Sequence, residues 1–192
     1  MNQVSMNQKV GVELVPAQLT PRGRFVVEHW RAGKKINEYV FSNAIVNQGK
    51  NKLLDVMFHA VAAVTTWYVG LIDYAGYTAL AATDTYQLIN TTNGWDEFTD
   101  YTDAGNSDSA STRPVWTEGA AAAQAITNAS PLIYDITDTG TVKGVFVVGG
   151  IANAVNKDDV AASGVLWATA LFGADVPVAS SDQLKITYTV TA

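Results

Sequence analysis

The groups in this chain that could do chemistry are few, and their spacing decides what they could do. The only imidazoles are His29 and His59, and there is no cysteine. A zinc site of the usual nitrogen and sulfur kind needs three or four such ligands, so the two histidines cannot build one. His29 falls in the middle of an apolar stretch beside Trp30, and His59 falls in a helical pattern. Both are read as structural. No serine stands in the G-x-S-x-G context that exposes a nucleophile on a sharp turn. Gly144, Gly149, Gly150 and Gly164 form neither G-x-G-x-x-G nor a phosphate loop. Gly149-Gly150, after Val145–Val148, marks a strand end or bulge.

The acidic run from Asp96 to Asp108 is the most chemical segment, with Asp96, Glu97, Asp100, Asp103 and Asp108 around Gly105. It offers oxygen ligands at alternating positions, but not in the order of an EF-hand loop. Asp96 and Glu97 could form a glycosidase pair only if the fold turned both the same way, and adjacent residues on a strand diverge. The reading adopted is a solvated loop, with calcium binding and catalysis as alternatives. No catalytic, cofactor-binding or metal-ligating residue is therefore assigned, and no cofactor is expected. The protein is expected not to be an enzyme. A groove lined by Trp95, Tyr101 and Trp116 beside Asp96 and Glu97 would reopen a glycan-binding or glycan-cleaving role.

The elements that carry these residues are mostly strands. Residues 1–22 are polar, hold Pro16 and Pro21, and are expected to form an extended arm; residues 23–192 are expected to form one domain. Arg24–Arg31 and Lys34–Phe41 flank Ala32-Gly33 and read as a β-hairpin. One helix is expected over about Asn51–Ala63, with Leu53, Leu54, Met57, Phe58 and Val61 on one buried face. Lys50 and Lys52 are on its first turn, where a cation is slightly unfavourable, so packing must stabilise it. Trp67–Ile72 is apolar on both faces and reads as a central strand. Residues 73–112 read as loop, and a loop this long needs its own packing, on the body or on a neighbouring subunit. Further strands are expected at Pro114–Trp116, Ala121–Thr127, Leu132–Thr137, Val142–Val148, Gly164–Phe172 and Gln183–Thr191, with turns at Asp138–Gly140 and Gly173–Asp175. The expected fold class is mainly β: an antiparallel β-sandwich or jelly-roll-like domain with one short helix and an extended N-terminal arm.

Composition narrows the class of function. Hydrophobic residues make up 48% of the chain and charged ones 16%, enough for a sizeable core. Eight Lys/Arg face four Asp/Glu in residues 1–60, and four face fourteen in residues 61–192. The basic residues are scattered, so a nucleic-acid footprint is not expected. Leu53–Ile72 approaches the length of a membrane span but contains Asp55, His59, Thr65 and Thr66, so no membrane role is expected. The N-terminus lacks the basic-then-apolar order of a signal peptide. Asn90 and Asn128 stand in sequons, which carry no meaning without one.

Several blocks together resemble the small virion structural proteins of tailed phages. They are Val46–Phe58, Trp67–Ile72, Ala82–Thr85, Trp95–Phe98 with Tyr101, Arg113–Trp116, Thr141–Phe146, Gly164–Ala168 with Phe172, and Asp182–Val190. The resemblance spans roughly residues 24–192 and is to structural proteins of the capsid-decoration (cement) or tail-associated kind. It implies a β-rich domain in the virion, assembled in the cytoplasm of a bacterial host. Its partners would be the major capsid protein and copies of itself, a trimer being the expected oligomer. A tail or short-fibre subunit, in contact with receptor or baseplate, is the alternative.

Overall fold

The structure, a computed structural model, describes residues 21–104 and 108–192. Among the described residues eleven strands and one α-helix follow one another. β1 (Arg22–Arg31) and β2 (Lys34–Ile45) form the expected hairpin. Ala32 and Gly33 between them have φ of 48° and 73°. Positive φ at both central residues is the turn whose twist matches that of two antiparallel strands. Along β1, Phe25, Val27 and His29 point inward while Arg24, Val26 and Glu28 face out or lie half-buried.

Helix α1 (Asn47–Phe58) follows, then β3 (Trp67–Asp73). The short strands β4 (Glu97–Phe98), β5 (Tyr101–Ala104), β6 (Val115–Trp116) and β7 (Ala125–Thr127) come next. β8 (Leu132–Ile136), β9 (Gly140–Gly149), β10 (Val165–Val178) and β11 (Gln183–Thr191) complete the chain. Every strand pairing is antiparallel, and the strands run in the order β4-β3-β9-β10-β2-β1-β11-β8-β5, with β6 on β3 and β7 on β11.

The sheet curls until its two ends meet. Only Thr99 and Asp100 separate the terminal strands β4 and β5. The Tyr134 hydroxyl of β8 donates to the Val69 carbonyl of β3 at 2.9 Å, and Trp116 Nε1 donates to the Tyr188 carbonyl of β11 at 3.3 Å. The halves thus enclose one main core, with Val69, Leu71 and Val145 from one side and Phe25, Leu184 and Ile186 from the other. Each such fully buried side chain contributes roughly 1.5–3 kcal/mol. The fold is mainly β and antiparallel, with one helix, a curled sheet closing into a sandwich-like body.

Expectation and structure differ in the bounds of several elements. Residues 73–112 are not simply loop: they include β4 and β5, and their aromatics pack on the body. Tyr86, Ile89 and Trp95 cover Ile72, Phe146 and Val148 on the outer face of β3 and β9, a second core. That face is apolar because β3 and β9 are buried on both sides. Gly173–Asp175 does not end a strand; β10 continues through it, with a register shift against β9 between Leu171 and Val176. Strand β7 begins at Ala125, because Ala123 and Gln124 turn with φ of 50° and 62°. The helix starts four residues earlier than expected. Lastly, Arg22 belongs to the body, pairing with Thr191. The rest of the expected arm, residues 1–20, lies outside the described residues.

Candidate functional site

The two histidines part company. His59 is exposed at the end of α1, 3.6 Å from Asp55. His29 is buried, and its Nε2 is 2.8 Å from Asp182 Oδ2. Asp182 also accepts from Arg31 Nε and Nη2, both at 2.7 Å, and from the Ala179 amide at 2.9 Å. The carboxylate, 1% exposed, ties the end of the β1–β2 hairpin to the turn before β11. The Arg31 guanidinium, then the Ala179 amide and His29, hold its pKa well below the usual carboxylate range against the opposing effect of burial. Sequence reasoning passed over Asp182; its one signal was a carboxylate next to a strand start.

A carboxyl whose pKa is depressed by folding contributes stability that is complete above its unfolded value, near 3.9. That stability is lost as pH falls through the folded value. Asp182→Asn should therefore lower stability by about 2 kcal/mol at pH 6. Below pH 4 the variant should lose less than the parent with each further step in pH. Urea melts from pH 6 to pH 3 check this, and parallel curves would show that Asp182 is not the acid-sensitive group. Arg31 is half-exposed, so solvent screens part of its attraction.

Among its described residues the acidic run is only partly solvated, with Asp100 and Asp108 exposed. Asp96 is exposed, but Glu97 and Asp103 are buried. Glu97 accepts a forked pair of hydrogen bonds from Arg113, Nε to Oε1 at 2.8 Å and Nη2 to Oε2 at 2.7 Å, with neither side chain exposed to solvent. Arg113 Nη1 donates to the Ala154 carbonyl at 2.8 Å, and the Asp158 amide donates to Glu97 Oε2 at 2.9 Å. The guanidinium carbon lies 5.4 Å from the centre of the Phe146 ring. Burial works against the charge of Arg113, yet the Glu97 hydrogen bonds and charge outweigh it and raise its pKa. Beside this pair Lys157 Nζ donates to the carbonyls of Thr99 (2.7 Å), Ala110 (2.8 Å) and Tyr101, and sits over the Tyr101 ring. Burial lowers its pKa to about 8.

This network fastens β4, the start of β6 and the segment after Ala152 to one another. Its charges are spent on protein partners, so it acts as an internal clamp. Among the described residues, no three His, Cys, Asp or Glu converge on a point that could hold a metal ion. Nor do the three aromatics of the glycan hypothesis together line a groove beside Asp96 and Glu97. Trp95 is buried with Nε1 bonded to Asp84, Tyr101 packs edge-on against Tyr134, and Trp116 is buried in the main core. The clamp was missed because Glu97 and Arg113 are sixteen residues apart and neither looks apolar.

The remaining candidate is a surface. Helix α1 is pinned at its first turn. Gln48 Oε1 accepts from the Tyr86 and Leu166 amides at 2.9 and 2.8 Å, and its Nε2 donates to Gln87 Oε1 and the Gly164 carbonyl. Gly49 is the only buried residue of the helix. A Cβ there would lie 2.5 Å from the Trp167 carbonyl oxygen, so only glycine permits this approach to β10. Asn47-Gln48-Gly49 is thus the anchored start of the helix.

The expected burial of its apolar face is overturned. Leu54, Met57 and Phe58 are exposed at 54%, 54% and 77%, and Val61 beyond the helix at 37%. Leu53 and Val56 lie half-buried, over a cavity of about 290 Å³ whose other walls include Trp67, Trp116, Trp167 and Val190. Lys52 and Glu118 also line it. A second apolar hollow of about 340 Å³ shares Leu53, Trp167 and Val190 with it and runs out to Met57, Ala192 and Pro21. Contiguous exposed apolar surface of this kind marks a contact site on a folded protein. No helix of the described residues is long and apolar enough to cross a membrane. Compared with known proteins, the chain matches no family model and no curated protein.

Proposed function

We propose that this chain is a virion structural protein of a tailed phage, of the capsid-decoration type, and that it binds the shell through α1. The observation that carries the reading is the exposed apolar face of that helix. Leu54, Met57, Phe58 and Val61 are exposed close together in sequence on and just after one helix, whereas the exposed apolar residues of the strands are the separate Ile36 and Val40 of β2. A decoration protein needs a rigid body and an adhesive face, and needs no reaction centre. Specific interfaces are built round apolar anchors with a polar rim, and here Lys50, Asp55 and His59 surround the apolar face. The resemblance of residues 24–192 to phage virion proteins supplies the shell as partner.

The protein binds the major capsid protein and associates with its own copies. A trimer fits the three-fold positions of an icosahedral shell, and closed rings are the usual form of such assemblies.

Added to particles that lack it, the protein should bind saturably and raise their resistance to heat. The gain should grow with protein concentration until the sites fill, because binding stabilises the shell by mass action. Sedimentation with the particles and the temperature of genome release measure both. Failure to bind capsids, with binding to purified tails instead, would transfer the protein to a tail or short-fibre role.

A further inference from the structure

Helix α1 does not lie flat on the body. Between the two is the cavity of about 290 Å³, with Leu53 and Val56 of the helix on one side and Trp67, Trp116, Trp167 and Tyr188 of the strands on the other. We propose that this cavity is a binding site for an uncharged, two-ring aromatic molecule of about the size of indole. The site does not depend on which outer partner the protein binds.

The polar groups of the strand wall are already bonded to protein. Trp167 Nε1 donates to the Tyr188 hydroxyl at 3.0 Å, and Asn43 Nδ2 donates to the same oxygen at 3.2 Å. Trp116 Nε1 is taken by the Tyr188 carbonyl. At the helix, Lys52 Nζ donates to the Ala62 carbonyl at 3.0 Å. Water held in a cavity needs about two to four polar partners, so walls of this kind hold it poorly and favour an apolar occupant. The three indoles make that occupant aromatic. The Trp67 and Trp167 rings stand 5.8 Å apart and tilted by 54°. A ring beside them gains edge-to-face and offset contacts that an alkyl chain lacks. Volume sets the size: an apolar cavity of about 150 Å³ takes one benzene ring, and this one has about 290 Å³. Charge sets the last condition. Among the described residues the lining has one cation, Lys52, and one carboxylate, Glu118, which leaves no net charge to draw in an ion. Tyr188 is fully buried and Trp116 is 6% exposed, so a ligand that reaches them is withdrawn from water.

Indole itself is the probe, titrated into the full-length chain by isothermal calorimetry. It should bind saturably at one site per chain, with a Kd of about 1 mM or tighter. The melting temperature should rise with indole concentration, because the ligand binds the folded state alone. Two variants fill the cavity from different walls: Val190→Phe, at a half-buried position of β11, and Ala63→Trp, at an exposed position after the helix. Either should weaken indole at least about tenfold with an unchanged circular dichroism spectrum, and Ala63→Trp keeps the test open if Val190→Phe does not fold. 1-Octanol, a flexible alkyl probe of similar size, should bind at least about tenfold more weakly than indole. No saturable binding by the parent overturns the proposal. Undiminished binding by folded, cavity-filled variants also overturns it, because the site then lies elsewhere. Octanol binding as tightly as indole overturns the assignment to an aromatic ligand.

Discussion

Arg113→Met should cost about 3–5 kcal/mol of folding stability, the usual effect of removing one partner from a buried ion pair. The substitution leaves the Glu97 carboxylate enclosed, with the Asp158 amide as its remaining donor, and takes the Nη1 donor from the Ala154 carbonyl. Domains of this kind are stable by only about 5–15 kcal/mol, so the variant should melt far below the parent. Replacing both partners, Arg113→Met with Glu97→Leu, should recover much of the loss, since no buried charge then lacks its partner. Urea titration of the parent, the two single variants and the double variant gives the coupling energy directly. A loss below about 1 kcal/mol for Arg113→Met would mean that the pair is not the clamp described here. Asp96→Asn, one residue from Glu97 but exposed, should leave the melting curve in place.

Attachment should depend on a different pair of residues. Leu54→Glu with Phe58→Glu should weaken binding to decoration-free particles by at least about 100-fold, which corresponds to about 2.7 kcal/mol. Losing two apolar anchors of this size accounts for that much, at roughly 1.5–3 kcal/mol each. Because both side chains are more than half exposed in the free protein, the melting temperature should stay within a degree or two. Thr139→Glu, on the turn before β9, serves as the control and should bind as the parent does. Sedimentation of labelled protein with particles, read beside a melting curve, separates the two effects. Unchanged binding by the double variant would move the shell contact away from α1.

The clamp and the adhesive face differ in how they could be read. The hairpin at Ala32-Gly33, the central strand at Trp67–Ile72 and the alternating strand at Gln183–Thr191 follow from local rules. Glycine permits the turn, and periods of two and runs without polar residues report what each face meets. These elements are found within a few residues of where they were expected, β11 at both of its bounds. The apolar period of α1 was equally legible, but its meaning was not. Periodicity shows that a helix has an apolar face and says nothing of whether the fold covers it. Here Gly49 and Gln48 fasten the first turn, while Leu54, Met57 and Phe58 beyond it stay in solvent.

The polar network shows the same limit from the other side. Glu97 in a run of Asp, Thr and Tyr reads as loop, since a carboxylate stays in water unless something at hand neutralises it. What neutralises it is Arg113, brought alongside because β4 and β6 both pair with β3. Asp182 gains Arg31 and His29 in the same way, through the register that sets Trp30 opposite Gln183. By itself the sequence determined the long strands, the Ala32-Gly33 turn and a surplus of apolar side chains, because each depends on neighbours a few residues away. Which charges are buried together, and which apolar face is left outside, only the tertiary structure decided, because both depend on pairings between residues far apart in the chain.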